Sequence, residues 1–182
     1  IRWCSKSSMP TRGKSNRNSG VPVKLSLALQ LASASAAMPE RAQLRRWVKA
    51  ALRRSAAITV RIVDEAEGRA LNHQFRGKDY ATNVLTFVYD VAGNAKTGGD
   101  LCGDIVLCAP VIEREAQAQG KQLVAHYAHL TVHGVLHLQG YDHQSGREAK
   151  AMEQLEVDVL AELGIDNPYI RAGTAASRKL NR

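Results

Sequence analysis

The sequence predicts an α+β fold, a single domain in which a small mixed β-sheet packs with several helices. Three observations predict it. At 182 residues the chain fits one domain with a real core but not two. Short β-branched or alternating segments are interspersed with amphipathic helical patterns. Those segments do not follow the strict βαβα order of a doubly wound sheet.

Val23 to Leu29 alternates apolar and polar residues as a half-buried strand does. Pro39-Glu40 opens a helix whose apolar face is Leu44, Trp47, Val48, Ala51 and Leu52. Arg41, Arg45, Lys49 and Arg53 form a basic stripe on that helix. It reads as solvated surface, with phosphate contact as the alternative. Ile58 to Val63 is a strand, followed by Asp64 as the cap of a short helix running toward Phe75. Gly77-Lys78-Asp79 marks a loop, and Val84 to Tyr89 is a β-branched and aromatic strand. Gly93 to Gly99 is a flexible turn region, and Gly103 to Ala109 is another strand. A helix starts at Pro110 and breaks near Gly120. A second runs from about Gln122 to Leu138 and stops at Gly140. A last one covers about Arg147 to Leu163, with Met152, Leu155, Val159 and Leu163 inward.

Charge and cysteines bound the function. The net charge is +8, but residues 1–20 carry +5 and residues 171–182 carry +4, while 21–170 hold 16 basic and 17 acidic residues. The basicity therefore lies in a basic N-terminal extension (1–20) and a basic C-terminal tail (171–182), both expected to be disordered, around a near-neutral domain (21–170). Overall pI is weak evidence for RNA binding here, although such tails suit phosphates. The first twenty residues lack the apolar segment of a secretory signal. They read as a transit-type sequence or an overlong gene start, with Met9 the nearest candidate initiator. No segment approaches a membrane span. Cys4, Cys102 and Cys108 are odd in number and form no C-x-x-C pair, which argues against a disulfide framework and for a reducing, cytoplasmic setting.

The chemistry concentrates in His133-Gly-Val-Leu-His137-Leu-Gln-Gly140-Tyr-Asp-His143. Residues four apart share a helix face, so His133 and His137 point together. Gly140 can end the helix in a left-handed conformation, which lets His143 approach from a third direction. Three imidazole nitrogens at tetrahedral corners leave one corner for water, as in catalytic zinc sites. One Zn2+ ion on this helix and turn is therefore expected as the usual occupant, although nickel or copper also suits such a site. The spacing matches the metzincin proteases, but Gly134 stands where those enzymes carry a general-base glutamate, which makes peptide hydrolysis doubtful. A dipositive ion on neutral ligands favours an anionic substrate such as a phosphodiester. Arg76, in the segment Phe75-Arg76-Gly77-Lys78-Asp79-Tyr80-Ala-Thr82-Asn83-Val84-Leu85-Thr86-Phe87, could stabilise phosphoryl oxygens. Read alone, Arg76 would be an ordinary surface arginine. Asp142 is either an acceptor behind the metal ligands or a proton acceptor, or else a turn or capping aspartate. His126 and His129 share the His133 face, where either could hydrogen-bond near the metal, although packing is the simpler role.

Together, HGVLHLQGYDH, FRGKDYATNVLTF and the strand GDIVLCA resemble the YbeY family of bacterial rRNA maturation endoribonucleases, over roughly Val21 to Leu163. The resemblance implies an α+β metalloprotein with zinc on His133, His137 and His143 and a functional arginine at Arg76. It implies a single-strand-specific endoribonuclease acting in 3′-end maturation of small-subunit rRNA and in ribosome quality control. The ribosomal small subunit, ribosomal proteins or an assembly GTPase are then candidate partners. Whether water or a 2′-hydroxyl attacks is left open. Two other readings compete: a metal-dependent hydrolase of another substrate, and a non-catalytic zinc-containing assembly factor.

Overall fold

A computed structural model of the chain describes residues 23–89, 100–143 and 145–170. The basic segments 1–20 and 171–182, Cys4 and the turn at Gly93 to Gly99 lie outside the described residues. The elements are β1 (Leu25–Ala32), α1 (Arg41–Ala51), β2 (Ala56–Val63), α2 (Glu65–Arg76), β3 (Val84–Val88), β4 (Leu101–Cys108), α3 (Ala109–Ala118), α4 (Leu123–Leu138) and α5 (Gly146–Glu162). The sheet order is β1-β2-β4-β3, with β1, β2 and β4 parallel and β3 antiparallel to β4. This is the expected small mixed sheet with helices.

Side-chain alternation divides the core between the two faces of the sheet. Ile58, Val60, Ile62, Ile105 and Leu107 join one cluster with Leu44, Trp47 and Val48 of α1 and Val132, Val135 and Leu136 of α4. Val63, Val106 and Cys108 join the other, with Leu71 of α2. All eight residues of β4 are buried because it lies between β2 and β3 and is covered on both faces. Such a strand shows no apolar–polar alternation. Cys102 and Cys108 are both buried in the core. Among the described residues no helix is long and apolar enough to cross a membrane.

Edge strand β1 alternates as expected, and two residues of the basic stripe serve it. Arg41 Nη2 donates to Leu27 O at 2.8 Å and Arg45 Nη1 to Leu25 O at 3.5 Å. Those carbonyls would otherwise form part of an open strand edge. Asp64 occupies the N-cap of α2 but makes no side-chain cap bond there; its Oδ1 instead accepts from Ala34 N–H at 3.4 Å. The cap position was legible in the sequence, and the partner lies across the fold.

Helix α4 is the central element, with ten of its sixteen residues buried between the sheet and the other helices. Gly134 explains how it comes so close. A Cβ at that position would lie 3.1 Å from Ile105 Cγ2 and 3.3 Å from Thr86 Cγ2. Gly134→Ala therefore overpacks the helix–sheet contact and is expected to cost about 1–3 kcal/mol. Urea denaturation would measure this, and an unchanged midpoint would show that α4 can shift freely on the sheet.

Candidate metal centre and cleft

Burial of α4 leaves one polar stripe of imidazoles, and the end of the helix determines how they meet. Gly140, at φ +91°, supplies the left-handed turn expected of it. Gly140 N–H donates to His137 O at 3.0 Å and Tyr141 N–H to Leu136 O at 3.2 Å, the two bonds of a Schellman motif. The chain then reverses, and Asp142 Oδ1 accepts from His143 N–H at 2.7 Å. Asp142 thus holds the turn that presents His143, and it also lines the cleft.

One nitrogen from each of His133, His137 and His143 lies within 4.8 Å of the others. His133 Nε2 and His137 Nε2 are 3.0 Å apart. Two lone pairs at that distance repel unless a proton or a cation lies between them. Nitrogens sharing one tetrahedral zinc would be about 3.3 Å apart, from bond lengths of about 2.0–2.1 Å. Burial, reinforced by the neighbouring His133 and His143, lowers the His137 pKa, which favours the neutral imidazole a metal needs. The three side chains fit a metal ion.

Behind the cluster is a residue the sequence reading missed. Glu156 of α5 is 1% exposed, and its Oε1 lies 2.7 Å from His133 Nδ1. An imidazole nitrogen facing a carboxylate at that distance carries the proton, which leaves the His133 Nε2 lone pair for the cleft. Its Oε2 accepts from His129 Nε2 at 2.9 Å and from the Tyr169 hydroxyl. Burial raises the Glu156 pKa, but hydrogen bonds from His129, His133 and Tyr169 outweigh it and bring the group to about 2. The carboxylate is therefore ionised. A signal for it was present: Glu156 lies four residues after Met152 and three before Val159, on the apolar face of its helix, where a lone acid needs a partner. The role of His129 is thus to serve Glu156. His126 bonds elsewhere, to Glu115 Oε2 at 2.9 Å.

The histidines form part of the wall of a cleft of about 880 Å³, which is also lined by Arg76, Phe75, Thr82 and Tyr141. Arg76 ends α2, where Gly77 at φ +66° turns the chain out of the helix. The loop after it is tied back by Asn72 Nδ2 donating to Tyr80 O at 2.7 Å and by a bidentate Arg69–Asp79 pair at 2.7 Å. Further on, Asn83 Nδ2 donates to Glu115, and Asn83 Oδ1 accepts from Val84 N–H at 2.7 Å. Among the described residues Arg76 itself has no hydrogen-bond or ion-pair partner. The structure therefore brings Arg76, His133, His137, His143 and Asp142 to one cleft. On the far side of His133, Gly134 faces the sheet, with no room for a glutamate.

The family model for endoribonuclease YbeY matches residues 31–164. The endoribonuclease YbeY of Nitrosospira multiformis is 57% identical over 157 residues, covering 81% of this chain and 83% of that protein. Those of Xanthomonas axonopodis pv. citri and Stenotrophomonas maltophilia are 55% and 56% identical over 153 residues, each covering 81% of this chain and 95% of the relative. A solution structure of TM1509 from Thermotoga maritima aligns at 23% identity and a TM-score of 0.48, over 80% of this chain and 99% of that one.

Proposed function

The chain belongs to the YbeY endoribonuclease family, and on that premise we propose that it is a zinc-dependent, single-strand-specific endoribonuclease. Its proposed role is 3′-end maturation of small-subunit rRNA and ribosome quality control. The observation that carries this reading is one cleft that joins three converging imidazoles to an arginine with no described partner.

His133, His137 and His143 would hold the ion, and Glu156 fixes the His133 tautomer. When bound, zinc supplies Lewis acidity toward a phosphoryl oxygen and a lowered pKa for a coordinated water or hydroxyl. Arg76 binds the phosphodiester oxygens and balances the charge that builds on them during attack. Phe75 and Tyr141, 42% and 37% exposed, offer ring faces to unstacked bases. Bases held in a duplex could not use them, which supports a single-strand preference. The contact of Gly134 with Ile105 and Thr86 argues against a peptidase, because the neighbouring general base of that chemistry has no place here.

Metal removal tests the proposal. Protein stripped with a chelator is expected to stop cutting single-stranded rRNA and to recover with one equivalent of zinc. Cutting that continues unchanged in metal-free protein would sink the zinc-dependent reading. The product ends then identify the nucleophile: 2′,3′-cyclic phosphate indicates the 2′-hydroxyl, and its absence indicates water.

A further inference from the structure

We infer that Tyr169, on the segment after α5, is a positioning residue of the histidine cluster, acting through Glu156. This rests on the metal reading above and extends it beyond residue 164, where the family match ends.

The argument starts from what a buried carboxylate needs. Glu156 is 1% exposed, so protein donors must replace the water it has lost. Its Oε1 receives His133 Nδ1–H, and its Oε2 receives His129 and the Tyr169 hydroxyl. Tyr169 is the donor that comes from outside the two packed helices. With it, Oε2 is held from two directions and the carboxylate plane is fixed. Without it, the group can rotate on its helix, and the bond that orients His133 loosens. His133 and His137 present Nε2 atoms only 3.0 Å apart, so a small ring rotation changes their convergence.

The chain is shaped to deliver this hydroxyl. Gly164, at φ +76°, ends α5 in a second Schellman turn, with Gly164 N–H on Ala161 O and Ile165 N–H on Leu160 O. Tyr169 N–H then donates to Asn167 Oδ1 at 2.8 Å, which fixes the local turn. The tyrosine ring meets His129 edge-on, with centroids 5.4 Å apart and an interplanar angle of 78°. The residue is 47% exposed, so its ring is half outside while its hydroxyl points inward. It also lines a small cavity of about 320 Å³ with His133, His143 and Glu156.

The test is zinc affinity, measured by competition with a chromophoric chelator, with the melting temperature of the metal-free protein followed in parallel. Tyr169→Phe keeps the ring on His129 and removes only the hydroxyl. It is expected to bind zinc roughly tenfold more weakly, at the lower end of the effect of losing an outer partner of a metal ligand. The same substitution in a Glu156→Gln background should weaken binding much less, because the route through the carboxylate is gone. Unchanged zinc affinity in Tyr169→Phe, with or without a lower melting temperature, would leave Tyr169 a mere clamp and overturn the inference. Equal losses in both backgrounds would overturn the route through Glu156. If the wild type itself binds no zinc, the metal reading fails and takes this one with it, a result distinct from both.

Discussion

His137→Ala is expected to lose bound zinc and to cut single-stranded rRNA roughly 10³-fold more slowly or worse, about 4 kcal/mol of transition-state stabilisation, while keeping its fold. The first part follows from geometry. His137 is the middle member of the cluster, 3.0 Å from His133 and with its ring centroid 5.0 Å from that of His143. Two imidazoles and solvent are a poor substitute for three imidazoles on one ion.

The second part follows from packing. Helix α4 is anchored by Tyr127, Val132, Val135, Leu136 and Leu138, which are essentially buried, whereas the His137 ring belongs to the cleft. Alanine has the highest helix propensity and removes a partly desolvated polar ring. The metal-free stability should therefore stay within about 1 kcal/mol of wild type. A structural zinc site behaves differently, since its binding energy is folding energy. If His137→Ala is unfolded, and chelation also unfolds the wild type, the metal holds the fold and the non-catalytic assembly factor becomes the better account. Circular dichroism and metal analysis on the same samples decide it.

The sequence was most informative where local rules suffice. The histidine spacing and Gly140 anticipated both the shared helix face and the left-handed turn, because helix period and glycine conformation are local properties. The strands and helices appeared near their expected places for the same reason, with ends shifted by a few residues, as for β1 at Leu25–Ala32 rather than Val23–Leu29. Less legible was whatever depends on another element. The position of Glu156 on an apolar helix face asks for a partner, but which partner appears only when α5 packs against α4 and its oxygens meet His129 and His133. Gly134 read as the lack of a catalytic glutamate, whereas its packing role depends on Ile105 and Thr86. Two arginines of the basic stripe turned out to serve an edge strand whose position no helical pattern reveals. The antiparallel pairing of edge strand β3 with β4, in a sheet whose other three strands are parallel, was likewise a matter of topology.

Arg76→Glu separates metal binding from substrate binding, and it is expected to cut RNA roughly 10²–10³-fold more slowly while retaining zinc. Arg76 is the last residue of α2 and exposed, with no partner among the described residues. Its replacement therefore breaks no internal bond, and none of the three clustered imidazoles is touched. The folding cost should be small, about 0.3–1 kcal/mol from an acid at a helix C-terminus. The effect on cleavage exceeds that of a neutral truncation, because glutamate both removes the guanidinium fork and places a negative charge where the phosphodiester must lie. Arg76→Lys should fall between the two, keeping the charge and losing the bidentate geometry. If Arg76→Glu cuts as fast as wild type, the arginine is an ordinary surface residue. The phosphoryl charge would then be met by the histidine-bound ion alone.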